Sequence, residues 1–97
     1  MNNSINKLSN RLTKFNYYLK QFDYECEDKN ITNHHIKCLK VKLVNLTKQI
    51  FNEDKLTYLF EYLNALTLKI NDLDDFINYE TDYFKSYMKA ILNYFHI

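Results

Sequence analysis

The sequence predicts an all-α protein: a small antiparallel helical bundle of three to four helices with short Asn/Asp loops, forming one domain over residues 1–97. Three observations carry that expectation. Large apolar residues recur at alternating steps of three and four, which places them on one face of an α-helix. The chain contains no glycine and no proline, so the residues that usually interrupt helices are missing. Asn and Asp gather between the periodic segments, where a chain without glycine must make its turns.

The first helix is expected from about Asn3 to about Asp23, with Ser4 as an N-cap. Its stripe is Ile5, Leu8, Leu12, Phe15, Leu19 and Phe22. From Tyr24 to Asn33 the stripe is lost and charge accumulates, which reads as a loop. Thr32 or Asn33 then caps a second helix from about His34 to Asn52, built on Ile36, Leu39, Leu43, Leu46 and Ile50. Its centre, residues 36–44, half-alternates and holds β-branched residues, so a strand competes there. The helical rhythm continuing to Leu46 and Ile50 favours the helix.

The third helix is expected from Glu53 or Asp54 to about Asn71, with Leu56, Leu59, Leu63, Leu66 and Ile70 as its stripe. Acids at its start suit the positive end of the helix dipole. The junction 71–75 is rich in capping residues, and a fourth helix follows from Asp72 or Asp74 to Tyr94. The turns are expected to exploit the tolerance of Asn and Asp for left-handed backbone.

The fourth helix carries the main functional expectation. On a wheel of about 100° per residue its apolar arc spans roughly 220°, against the roughly 100° an amphipathic helix needs. Tyr79, Tyr83, Tyr87 and Tyr94 share one side of that arc. Either two sets of neighbours cover the helix, or these tyrosines form an interface with a second copy or another protein. Glu80 falls in the middle of the arc and calls for a cationic or hydroxyl partner.

The net charge of +1 conceals an asymmetry. Residues 1–50 carry nine Lys/Arg against four Asp/Glu, or +5, and residues 51–97 carry four against eight, or −4. Lys7, Arg11 and Lys14 line one strip of the first helix. Lys37, Lys40 and Lys42 spread around the second. A nucleic-acid contact through phosphates is the alternative reading of these cations. A single arginine and an isoelectric point near 7.7 argue for a solvated face instead.

No catalytic, cofactor or metal site is expected. Cys26, His34, His35 and Cys38 come nearest to a zinc group, but their spacing matches no common paired-ligand pattern. The acids at 72, 74, 75, 80 and 82 lack the glycine of a calcium loop. The Asn- and Lys-rich start predicts no secretory leader, and no apolar run reaches membrane-spanning length, which points to an intracellular, cytoplasmic protein without membrane or small-molecule partners. The abundance of Asn, Lys, Ile and Tyr reflects A/T-rich codons. The expected function is therefore a non-enzymatic protein-interaction module: a homodimer, or a small inhibitor, immunity or accessory factor of a phage, virus or mobile element.

Overall fold

The computed structural model is all-α. Its elements are α1 (Asn2–Glu25), α2 (Asn33–Ile50), α3 (Glu53–Ala65), a 3-10 helix (Leu73–Asn78) and α4 (Thr81–Asn93). It describes residues 2–28, 30–66 and 72–95, with side chains from residue 7 onward except at 53 and 54. No strand occurs among the described residues, and the ambiguous segment 36–44 lies wholly within α2. No described helix is long and apolar enough to cross a membrane.

The helices begin where side chains can accept the orphan N–H groups of a first turn. Thr32 caps α2, its hydroxyl accepting from the His35 N–H at 3.1 Å. Asn52 caps α3 through a longer bond of 3.4 Å from the Lys55 N–H. Asp72 opens the 3-10 helix by accepting from the Asp74 N–H at 2.9 Å. Ser4 lies inside α1, which starts earlier than its side chain suggested. Ile70 and Asn71, expected at the end of the third helix, lie outside the described residues.

Two junctions turn without left-handed backbone at their cap residues, where Asn and Asp had been expected to supply it. Phe51 (φ −104°, ψ 99°) closes α2 in an extended conformation, and Asn52 (φ −68°, ψ 173°) opens α3 in another. Tyr79 (φ −75°, ψ 150°) and Glu80 (φ −58°, ψ 152°) repeat the device. Two successive extended residues turn the chain at negative φ, which any L-residue adopts without strain. This arrangement is compatible with a chain that has no glycine.

The same device divides the expected fourth helix in two. An unbroken helix would give the Tyr79 carbonyl to the Tyr83 N–H. Here the carbonyl accepts from Lys40 Nζ at 2.6 Å instead. Glu80 then starts α4 by accepting from the Phe84 N–H at 2.9 Å. The bend lets Phe76 and Phe84 both enter the core, where their rings sit 6.4 Å apart.

Antiparallel α1 and α2 form the largest contact. Arg11 reaches the Gln49 carbonyl at one end, and Glu25 meets His35 at the other. Phe15, Leu19 and Phe22 of α1 pack with Leu39, Leu43, Val44, Leu46 and Ile50 of α2. Leu59 and Leu63 of α3, with Phe84, Met88 and Ile91 of α4, complete the core. Each such side chain contributes about 1.5–3 kcal/mol by burial. Thr47 is fully buried among them, and its hydroxyl donates to the Leu43 carbonyl at 2.9 Å. The stripes weaken at their ends: Leu8 and Leu66 are exposed.

Candidate protein-binding groove

The division at Tyr79–Glu80 takes Tyr79 off the wheel it was expected to share with Tyr83, Tyr87 and Tyr94, which stay on or at the end of α4. Tyr79 and Tyr87 are half-buried beside Phe76, with ring separations of 5.6 Å (Phe76–Tyr79), 4.8 Å (Phe76–Tyr87) and 5.4 Å (Tyr79–Tyr87). Burial pushes the Tyr87 phenol above its ordinary pKa of 10.0. Tyr94 belongs to a different cluster, 5.3 Å from Phe51, 5.2 Å from Tyr62 and 5.2 Å from Phe95. Tyr83 stands exposed on α4. Glu80 is an exposed N-cap residue at the corner, outside any apolar arc, and makes no side-chain cap bond. Tyr94 therefore packs in a different ring cluster from Tyr79 and Tyr87.

The predicted cations also separate. Lys40 is only 8% exposed, with Nζ on the Tyr79 carbonyl and 5.5 Å from the centre of the Phe84 ring. Desolvation lowers its pKa from 10.5. Lys42 lies over the Tyr18 ring at 5.3 Å. Lys14 and Lys37 are exposed on α1 and α2. Only Lys7 and Arg11 are brought together around a concavity.

That concavity lies where the start of α1, the α2–α3 junction and the end of α4 meet. One cavity of about 290 Å³ is lined by Leu8, Ile50, Phe51, Lys55, Tyr58, Tyr94 and Phe95. A second of about 380 Å³ is lined by Lys7, Leu8, Arg11, Gln49, Ile50, Asn52 and Lys55. Leu8, Ile50 and Lys55 line both, so the two form one groove with an aromatic half and a basic half. The short α2–α3 junction sets this geometry. It places Phe51 under Tyr94 and Phe95 and turns Lys55 and Tyr58 toward α1. Arg11 Nη1 donates to the Gln49 carbonyl at 3.0 Å, which fixes its guanidinium at the basic end.

Sequence reasoning reached Tyr94, Lys7 and Arg11 but missed Tyr58, Lys55 and Phe95. Tyr58 carried a usable signal: it stands off the Leu56–Leu59–Leu63 stripe, so a large ring faces away from the helix's own core side.

The Cys/His group does not assemble. His35 Nε2 meets Glu25 Oε2 at 2.6 Å, while His34 Nε2 lies 3.7 Å from Cys38 Sγ on an exposed face. Cys26 is half-buried near the core, and burial raises its thiol above the ordinary value of 9.0. Among the described residues no three His, Cys, Asp or Glu side chains form a group able to hold a metal ion.

Comparison with protein-family models, with curated proteins and with solved structures gave no match. The functional reading therefore rests on the groove itself.

Proposed function

We propose that this chain is a non-enzymatic protein-interaction module that binds its partner at the groove between α1, the α2–α3 junction and the end of α4. One observation carries the reading: the groove has an aromatic floor whose rim, Leu8 and Tyr58, is 37% and 62% exposed. Large rings that are rigid, half-wet and concave are the usual anchors of protein recognition. We read the all-α packing as an antiparallel bundle that holds this groove open. Tyr94 is the one member of the expected tyrosine interface that lines it. Small size and A/T-driven composition favour an inhibitor, immunity or accessory role in a phage, virus or mobile element.

The nucleic-acid alternative has less geometric support. Lys40 is enclosed and Lys42 is engaged with Tyr18, which leaves Lys7, Arg11 and Lys14 along one face of α1 as the cations still available to it. Phosphate binding needs several cations along one path.

The test is a photo-crosslinking amino acid placed at Tyr58 and, as control, at the exposed Tyr24 near the opposite end of α1. The protein is then expressed in its native host and irradiated. A defined adduct from position 58 and none from position 24 is the expected result. Equal labelling from both positions, or none from position 58, removes the proposal.

A further inference from the structure

The groove reading above leaves its occupant open, and the distribution of charge around it narrows the choice. Lys7, Arg11 and Lys55 line the basic half, and no carboxylate lines either cavity among the described residues. The ion pairs seen among the described residues engage His35, Lys48, Lys85 and Lys89, none of which borders the groove. We propose that the groove receives an acidic peptide segment of a partner protein, anchored by one aromatic side chain; this rests on the protein-binding reading above.

Each part of the groove suits one part of such a ligand. The aromatic cavity of about 290 Å³ lies at the lower limit of small-ligand pockets, which run from about 300 Å³ upward, so one large side chain suits it better than a cofactor. Tyr58 and Tyr94 line that cavity beside the buried Phe51 and offer ring faces and edges for that side chain. Arg11 gives one N–H to the Gln49 carbonyl and is thereby oriented. A guanidinium has five N–H donors, and the rest match a carboxylate pair. Lys7 and Lys55 supply mobile charge at the rim, which steers an acidic segment and sets the salt dependence of binding. The surplus of +5 in residues 1–50 acts in the same direction.

A second copy of this chain would offer Tyr83 beside Glu80 and Asp82. Docking it here would join unlike surfaces head to tail, which propagates into rings or open chains. We therefore commit to a different protein as the occupant and make self-association an outcome of the test.

The test uses the full chain and a display library of random dodecapeptides. Three proteins are screened in parallel: wild type, the Lys7→Glu/Lys55→Glu variant and Tyr58→Ala. All three changes fall on exposed residues, and circular dichroism checks that each protein folds. Wild type should select Asp/Glu-rich peptides with a single aromatic residue. The charge-reversed protein should select Lys/Arg-rich peptides that keep the aromatic. Tyr58→Ala should lose the aromatic preference. The best wild-type peptide should bind about tenfold or more weakly to the charge-reversed protein by fluorescence anisotropy.

Selection of neutral or basic peptides by wild type, or unchanged affinity after charge reversal, overturns the acidic occupant. So does a mass that rises with concentration in light scattering and falls to that of a monomer in Tyr83→Ala. A single-stranded DNA oligomer binding more tightly than any selected peptide overturns it as well. If selected peptides perturb amide resonances away from Leu8, Ile50 and Tyr58, or if no peptide is selected, the groove reading falls too. If they perturb those resonances without regard to charge, the groove reading survives and only the acidic occupant is lost.

Discussion

Lys40 Nζ donates to the backbone carbonyl of Tyr79 at 2.6 Å, bridging α2 to the corner between the 3-10 helix and α4. That bond takes the place of a helical one. It allows Tyr79 and Glu80 to be extended and so sets the direction of α4. A lysine is suited to this because its long stem packs along apolar surface, here beside Phe84, while the ammonium reaches a polar atom.

Lys40→Met should keep the stem and leave the Tyr79 carbonyl without its donor. The expected loss is about 1–2 kcal/mol, since a charged donor is lost and an apolar tip is gained. Urea denaturation should show a lower midpoint with an unchanged slope. The pH dependence has a definite sign. Burial lowers the Lys40 pKa below 10.5, so just below that value the unfolded chain binds more protons than the folded one. Stability from this group therefore rises with pH across that window. The stability difference between wild type and Lys40→Met should grow there in favour of wild type.

Asp23 accepts from Lys85 at 2.6 Å, with Lys89 at 4.0 Å, and ties α1 to α4. The hydrogen bond from Lys85 lowers the Asp23 pKa from 3.8 and raises that of Lys85 from 10.5. For a carboxylate with a lowered folded-state value, the contribution is present above pH 3.8 and fades as pH falls through the lower folded value. Asp23→Asn should have a slightly lower urea midpoint than wild type at neutral pH. The two midpoints should converge in strong acid. A difference that persists there would mean the side chain acts by packing rather than charge.

The two tyrosines near the start of α4 should respond differently to truncation. Tyr87 is half-buried against Phe76 and Tyr79, so Tyr87→Ala should cost about 2 kcal/mol in chemical denaturation. Tyr83 is 63% exposed, so Tyr83→Ala should stay within about 0.5 kcal/mol of wild type. Comparable losses at both positions would contradict the unequal burial of Tyr83 and Tyr87 on α4.

The caps give a graded series. Thr32→Ala should cost about 1 kcal/mol, because the hydroxyl satisfies the His35 N–H at 3.1 Å. In a domain of this size that lowers the Tm by about 4–8 °C in calorimetry. Asn52→Ala should cost less, since its bond to the Lys55 N–H is stretched to 3.4 Å.

Most of the helical content was legible in the sequence because its signal is local. Leu39, Leu43, Leu46 and Ile50 declare a buried face through spacing alone, and Thr32 and Asp72 declare their caps through chemistry. The groove was less legible. Leu8 and Ile50 look like ordinary stripe members, and nothing in their spacing says that both line a concavity with Tyr58 and Phe95. The fate of the tyrosines was hidden for a related reason. A wheel assumes one continuous helix, and the break at Tyr79 depends on a lysine 39 residues earlier in the chain.

By itself the sequence determined that the protein is α-helical, which faces of α1 and α2 turn inward, and where most helices begin. Those properties follow from periodicity and from hydrogen bonds made within one turn. The tertiary structure alone decided that Lys40 is enclosed, that the aromatic surplus divides into two clusters, and that Lys7, Arg11 and Lys55 meet beside Tyr58 and Tyr94. Those outcomes depend on contacts between residues far apart in the chain, which exist only once the backbone has been bent by two extended residues and the core has closed around Phe76 and Phe84.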